Sequence, residues 1–401
     1  MKNKKICVIG LGYIGFPTAT IFANNGYKVH GVEKNTKIIE SLNEGNIHIN
    51  EPGLQEIALE VIKSRTLVFD NKQCQADVFI ICVPTPIKYE CYNSPDISYV
   101  ESAISEMAPL LKEGNLVIIE STIPVGTVDM IHAKFKEKGV DTSSIFIAYC
   151  PERVLPGNIM FEMVNNDRIV GGINTRSTKV AAELYATICK GSVFETTAKT
   201  AELCKLAENS FRDINIAFAN ELSLICHKEN IDVSNLIQLT NKHPRVNILN
   251  PGIGVGGHCI PVDPWFIVSN YPHYSSLIVA ARKVNNSKIN WVLEQIIHQV
   301  EFLKLIKPKI ACLGLAYKAD VEDMRESPSL KILDGLLNNG FDAVGVEPNI
   351  VTHRNYRIVS LENALKECDL LVLLVSHKEF KDQLIAIKES GKATLDFCGL
   401  L

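Results

Sequence analysis

Cys259 closes the run Gly252-Ile253-Gly254-Val255-Gly256-Gly257-His258-Cys259. Four glycines ahead of a thiol leave backbone N–H groups bare and able to approach a ligand closely. Pro261, two residues on, suits the first position of a helix. A helix N-terminus beside a cysteine favours its thiolate, the form that attacks electrophiles. Judged from composition alone, a structural cysteine is the commoner use of such a residue. The other eleven cysteines sit mostly inside apolar runs, such as Ile6-Cys7-Val8 and Ile81-Cys82-Val83, and read as small buried hydrophobes.

A second set lies on one helix. Lys205, Asn209 and Arg212 fall at i, i+4 and i+7, which puts all three on one face. Their neighbours Leu203, Leu206 and Ala207 are expected to pack elsewhere. A partly buried lysine there would stabilise an oxyanion; a solvated polar stripe is the plainer reading of the same spacing.

A third set is glycine-based. Gly10-Leu11-Gly12-Tyr13-Ile14-Gly15 follows an apolar run and opens a helical pattern. The first glycine permits a tight turn, the second lets backbone approach a pyrophosphate, and the third lets helix and strand pack closely. The pyrophosphate would rest on the helix N-terminus. Glu33 ends the next strand, where an acid holds ribose hydroxyls and repels a 2′-phosphate, so NAD is favoured over NADP. Cys82-Val83-Pro84-Thr85-Pro86 and Glu120-Ser121-Thr122-Ile123-Pro124 each follow a strand, where ligands bind in such sheets. Thr85 and Thr122 are therefore candidate cofactor or water contacts, or simply turn formers.

Strand and helix patterns alternate around these residues. Apolar runs at 5–10, Lys28–Val32, Val78–Val83, Leu116–Glu120 and Ile145–Ala148 imply a parallel sheet covered on both faces. From Ala198 to Lys228 neither Gly nor Pro occurs, which predicts one long helix, a spine between domains. A helix near Val233–Asn241, a Gly- and Pro-rich loop over Pro244–Pro264 and a helix over Ser275–Lys304 complete a helical middle. Lys309–Leu315 repeats the strand-then-glycine look of residues 5–12, and runs at Ala343–Val346, Leu370–Val375 and Ala393–Phe397 make a second open α/β unit. The reading is an α/β protein of three parts: a dinucleotide domain (1–195), a helical domain with the spine helix, Lys205 and Cys259 (196–304), and a second α/β domain (305–401).

Length alone argues for more than one core, since single cores stop growing near ~250–300 residues. The net charge of −4 disfavours a nucleic-acid binder. No cysteine pair has CxxC spacing and no metal site is read; free thiols fit a reducing cytoplasm better than a disulfide scaffold. The basic start, Met1 to Lys5, leads into glycines rather than a signal core, and runs such as Leu370–Val375 are far too short for a bilayer. No membrane partner is expected.

Together the motifs resemble the nucleotide-sugar 6-dehydrogenases, the family of UDP-glucose and UDP-N-acetylhexosamine dehydrogenases, over essentially the whole chain. The resemblance rests on Gly10–Gly15, Glu120–Pro124, Pro151-Glu152-Arg153, Ala201-Glu202-Leu203-Cys204-Lys205, Gly254–Cys259 with Asp263, and Gly314-Leu315-Ala316-Tyr317-Lys318 followed by Arg325-Glu326-Ser327-Pro328. Within the family, Cys150–Gly157, Glu208–Asp213, His243-Pro244-Arg245-Val246-Asn247 and Gly257-His258-Cys259 with Val262-Asp263-Pro264-Trp265 follow the members that act on UDP-N-acetyl-D-mannosamine. UDP-glucose enzymes usually carry a small residue where His258 stands and a Lys-Asp pair in place of Val262-Asp263. Glu33 departs from the common Asp but keeps its charge.

The resemblance implies a Rossmann-like first domain and a UDP-binding last one. It implies NAD-dependent four-electron oxidation of the sugar's 6-hydroxyl to a carboxylate for bacterial surface polysaccharide, through a thiohemiacetal and a thioester on Cys259. Lys205 would stabilise the oxyanion, while Asp263, Glu152 and Thr122 place water and move protons. Arg153, Val154, Asn209, Arg212, Gly256, Tyr317 and Lys318 would hold the sugar nucleotide, with His243 and Arg245 reaching a neighbouring subunit's site in a homodimer or higher oligomer. Arg325 would lie near the cofactor. The same chemistry on UDP-N-acetyl-D-glucosamine or UDP-glucose is the nearest alternative. A non-catalytic dinucleotide sensor is opposed by Lys205, Asn209, Cys259 and Asp263, and a β-hydroxyacid dehydrogenase would need no cysteine after a glycine loop.

Overall fold

The computed structural model describes residues 4–88, 93–350 and 352–401. The chain forms two compact units. One holds the residues up to Glu208 with Trp265–Asn270; the other holds Asn209–Pro264 and Tyr271–Leu401. The expected helical middle is thus shared between them.

In the first unit, β1 (Lys5–Ile9), β2 (Lys28–Val32), β3 (Leu67–Asp70) and β4 (Val78–Ile81) are followed by a short antiparallel pair, β5 (Ile87–Lys88) and β6 (Ser94–Pro95). Then come β7 (Leu116–Ile119), β8 (Phe146–Tyr149), β9 (Arg168–Gly172) and β10 (Val193–Thr197). The sheet order is β10-β9-β8-β7-β4-β1-β2-β3. Helices α1 (Gly15–Asn24), α2 (Thr36–Asn43), α3 (Leu54–Lys63), α4 (Ser98–Met107), α5 (Thr127–Glu137), α6 (Ile159–Asn165) and α7 (Thr175–Tyr185) connect the strands. The central strands are apolar because both faces are covered: Ile6, Val8, Ile80 and Ile118 pack in one core and Cys7, Phe79, Ile81 and Val117 in the other.

The sheet is parallel but for one junction, where β8 and β9 run antiparallel through Ala148↔Gly172 and Tyr149↔Gly171. The link between them stays at the carboxyl edge of the sheet, so β9 starts where β8 ends and runs back. That reversal brings Arg168, the first residue of β9, to Glu152.

The long helix predicted from Ala198 is α8 (Ala198–Glu229), followed by α9 (Val233–Thr240), α10 (Asp263–Asn270) and α11 (Ser276–Phe302). A helix of such length without Gly or Pro keeps its backbone ladder unbroken. Asp232 caps α9 by accepting the N–H groups of Ser234 and Asn235.

The second unit carries a four-stranded parallel sheet of β11 (Lys309–Leu313), β12 (Asp342–Val346), β13 (Leu370–Leu373) and β14 (Ala393–Asp396), in the order β12-β11-β13-β14. Apolar cores lie on both its faces. The repeat seen in sequence holds in detail. The Gly10 N–H donates to the Val32 carbonyl at 2.8 Å, and Gly314 N–H to the Val346 carbonyl at 2.8 Å. Glu33 accepts from Leu11 N–H and Glu347 from Leu315 N–H, each acid lying just past its strand. Among the described residues no helix is long and apolar enough to cross a membrane.

Candidate active site

The first unit holds the glycine turn. Gly10 has φ +90, and a Cβ there would lie 2.6 Å from the Cys82 carbonyl oxygen. At Gly15 a Cβ would meet the Gly10 carbonyl at 1.9 Å, so only glycine lets α1 start this close to β1. Gly12 differs: nothing stands within 4 Å of where its Cβ would be. Among the described residues no side chain caps the N-terminus of α1, while Tyr13 and Ile14 pack their sides on the core. Open space above an uncapped helix start is a cradle for a diphosphate. Glu33 stands beside it, accepting Leu11 N–H at 3.1 Å and Asn35 N–H at 3.0 Å. The residues present fit a dinucleotide.

The turns after β4 and β7 are stitched together by Ser121, whose hydroxyl donates to the Val83 carbonyl at 2.7 Å. Thr85 and Thr122, one on each turn, are half-buried. The far end of the Thr122 turn is held by Glu202 on α8, which accepts the N–H groups of Gly126 at 2.6 Å and Val128 at 2.8 Å. Burial pushes the Glu202 carboxyl up to about 7 against those two bonds.

Behind these turns lies a polar cluster in which the sequence singled out Glu120 and Glu152 but not their partners Thr18, Arg168 and Tyr185. Glu120 accepts from Tyr185 Oη at 2.6 Å and Thr18 Oγ1 at 2.9 Å. Burial drives its carboxyl up from the usual range, with Arg168 working against that. Arg168 donates to Glu152 Oε2 at 2.9 Å, and both side chains are buried. The pairing of Arg168 with Glu152 depends on the antiparallel turn into β9, which no local pattern announces.

Lys205 is half-buried and donates from Nζ to the Glu152 carbonyl at 2.8 Å. Arg153 forks onto Glu208, with Nε 3.0 Å from Oε2 and NH2 2.8 Å from Oε1. Val154 is half-buried beside it. The apolar neighbours of Lys205 differ from expectation. Leu206 is fully buried, but Leu203 is 44% exposed and Ala207 also faces out, because 203 and 207 lie on the outer side of α8.

The second unit holds Cys259 and its glycine loop. Gly254 has φ +140, and Gly257 has φ +85 with the Tyr317 ring 2.9 Å from where a Cβ would be. At Gly256 a Cβ would lie 2.8 Å from both Pro328 and Tyr317. Gly257 N–H donates to the Arg325 carbonyl at 3.1 Å. The loop therefore runs hard against the 317–328 segment, and glycine is what lets it pass.

Pro261 was expected to open a helix; α10 begins at Asp263 instead. Cys259 sits a turn ahead of that start, and its carbonyl accepts Asp263 N–H at 2.8 Å. Asp263 is buried, and Asn209 Nδ2 donates to its Oδ2 at 2.5 Å. Asn209, Asp263 and the backbone of Cys259 thus form one connected group. Arg212, expected on the same face, is exposed on α8. Tyr317 and Lys318 are half-buried; Arg325 is exposed and paired with Asp323 at 2.6 Å. Burial opposes the Asp323 charge, yet Arg325 holds its carboxyl below the usual range. His243 and Arg245 are exposed on the loop after α9.

Burial does not single out Cys259. Cys7, Cys150, Cys226, Cys312 and Cys368 are buried as expected, but Cys74, Cys82, Cys189, Cys204 and Cys398 are half-buried, as Cys259 is. Cys91 lies outside the described residues. What distinguishes Cys259 is its glycine loop and its tie to Asp263.

Three family models of the UDP-glucose/GDP-mannose dehydrogenases match the chain: the NAD binding domain over residues 4–189, the central domain over 199–287 and the UDP binding domain over 311–401. The chain is similar to a UDP-N-acetyl-D-mannosamine dehydrogenase of Campylobacter jejuni, 48% identical over 98% of this chain and 99% of that one. Among solved structures it resembles UDP-D-ManNAc dehydrogenase from Pyrococcus horikoshii, with 39% identity, a TM-score of 0.92, and 99% and 96% of the two chains covered. It also resembles a UDP-N-acetyl-mannosamine dehydrogenase from Staphylococcus aureus, with 39% identity, a TM-score of 0.86, and 99% and 95% covered.

Proposed function

The chain belongs to the UDP-glucose/GDP-mannose dehydrogenase family, and from that premise we propose that it oxidises UDP-N-acetyl-D-mannosamine to UDP-N-acetyl-D-mannosaminuronate. The observation that carries the chemistry is the Asn209–Asp263 bond, tied through Asp263 N–H to the carbonyl of Cys259. A thiol set in a glycine loop one turn ahead of a helix, beside a half-buried carboxamide bonded to a buried carboxylate, is suited to covalent attack.

Gly10, Gly12, Tyr13, Ile14, Gly15, Glu33, Thr85, Thr122 and Arg325 would hold NAD, which would supply the hydride acceptor for each of two oxidations. Thr122 and Glu152 place water and carry the alcohol proton away in the first, which turns the 6-hydroxyl into an aldehyde. The Cys259 thiolate adds to that aldehyde, and Lys205 stabilises the oxyanion of the thiohemiacetal. Loss of the second hydride leaves a thioester on Cys259. Asp263 and Glu152 then direct water onto the thioester carbon, which frees the carboxylate and returns the thiol. Arg153, Val154, Lys205, Asn209, Arg212, Gly256, Tyr317 and Lys318 hold the sugar nucleotide.

The enzyme acts as a homodimer or higher oligomer in the cytoplasm. Phe211, Phe218 and Ile225, spaced by seven on α8, are 67%, 51% and 53% exposed, an apolar stripe suited to a second copy. His243 and Arg245 reach the neighbouring subunit's site. Purified enzyme is to be assayed with UDP-N-acetyl-D-mannosamine, its glucosamine epimer and UDP-glucose, following NADH. The mannosamine nucleotide is expected to have the highest kcat/KM. Faster oxidation of the epimer at limiting concentration overturns the named sugar.

A further inference from the structure

Four buried polar side chains run in line to the start of the glycine loop. Asp213 and Asn220 project from α8, Arg282 and Asn285 from α11, and all four are at most 3% exposed. Asp213 Oδ1 accepts from Arg282 NH1 at 2.6 Å and from Asn285 Nδ2 at 2.8 Å. With its nitrogen committed to an acceptor, Asn285 turns its oxygen the other way, and that oxygen accepts from Asn220 Nδ2 at 2.9 Å. The Asn220 oxygen then accepts the backbone N–H of Gly252 at 2.8 Å. Asp213 can only accept when ionised, so it sets the direction of every amide in the chain.

Such groups are costly to bury, and apolar side chains of the same size would pack there at least as well. Their last bond goes to a loop backbone, not to a helix or strand. That loop has two residues at positive φ, Gly254 and Gly257, and supports Cys259. Asn209 and Asn220 are eleven residues apart on α8, three turns plus about 20°, and so share a face. Asn209 holds Asp263 beyond Cys259, and Asn220 holds Gly252 before it.

We propose that Asn220, Asn285, Asp213 and Arg282 are positioning residues for Cys259. They fix the glycine loop at Gly252, so the thiol is presented in one place. This rests on the reading of Cys259 as the nucleophile. A misplacement of ~1 Å at a reacting centre costs on the order of 100-fold in rate.

The test uses the full-length Asn220→Ala and Asn285→Ala variants and the double variant. Each is measured for kcat, KM, melting temperature and the rate of iodoacetamide alkylation at Cys259 across pH, with Cys259→Ser correcting for other thiols. Both single variants are expected to lose roughly 10- to 100-fold in kcat with little change in KM, and to change the alkylation profile. The double variant is expected to be no worse than the worse single one, because the residues act as a unit. Asn220→Asp adds an internal check. When protonated its carboxyl can both donate to Asn285 and accept from Gly252, so its Cys259 alkylation rate should approach wild type as pH falls.

A lowered melting temperature with unchanged kcat and alkylation overturns the proposal, as do additive losses in the double variant. Should Asn220→Ala fail to fold, wild-type alkylation by Asn220→Asp at every pH overturns it as well. Normal sugar-acid production by Cys259→Ser defeats the nucleophile reading itself. An inactive Cys259→Ser beside a fully active Asn220→Ala defeats only the positioning role.

Discussion

The ammonium of Lys205 donates to the peptide carbonyl of Glu152, while the Glu152 carboxylate is taken by Arg168. The lysine is oriented by a neutral acceptor, and the acid next to it is paired with a different cation. A charge held this way is ready for an oxyanion. Lys205→Met, which keeps the apolar stem, is expected to lower kcat by about 100- to 1,000-fold with a smaller change in KM. Steady-state NADH formation checks this; a loss confined to KM makes Lys205 a binding residue only.

Cys259→Ser should abolish sugar-acid formation, because an alkoxide forms far less readily than a thiolate. The wild-type enzyme should release two NADH for each carboxylate produced, counted by absorbance against product by mass spectrometry. One NADH per product, with the aldehyde accumulating, contradicts the thioester route.

Glu33 places a carboxylate beside the cradle formed at Gly12. It should set a strong preference for NAD by repelling the 2′-phosphate of NADP. In Glu33→Ala the ratio of kcat/KM values for the two cofactors should fall by at least tenfold, at about 1.4 kcal/mol per decade. An unchanged ratio removes Glu33 from cofactor choice.

Glu202 makes stability depend on pH. Its folded carboxyl lies at about 7, above the ordinary 4.5, because of burial. The folded protein therefore holds the proton more tightly than the unfolded chain. The stabilisation is complete below about pH 4.5 and is lost as pH rises through 7, on the order of 3 kcal/mol in all. In Glu202→Gln that part of the decline should vanish, as read from melting temperature between pH 5 and 8. An identical slope in both proteins refutes the assignment.

The elements nearest the chemistry were legible because local rules fix them. Gly10 and Gly15 are glycines for reasons visible in the motif, and α8 had no breaker from Ala198 to Glu229. The strands β3, β9 and β10 went unread. Both edge strands are weak signals, Leu67–Asp70 with three apolar residues before an aspartate and Val193–Thr197 with Glu195-Thr196-Thr197, while β9 opens on an arginine and ends on Gly171-Gly172. The Asp213–Asn220–Arg282–Asn285 line was equally hidden. A polar residue on a helix reads as solvent-facing, and only partners some 65 residues away turn it inward.

The repeat of strand, glycine and acid also differs between its copies. Glu347 accepts the N–H groups of both Leu315 and Ala316, and Glu33 accepts that of Leu11. The second turn carries its own anion, with Ala316 where the first has Gly12. Two of its N–H groups are thereby already satisfied by the protein's own carboxylate, which leaves fewer of them for an outside anion than a turn with an unfilled cradle would offer.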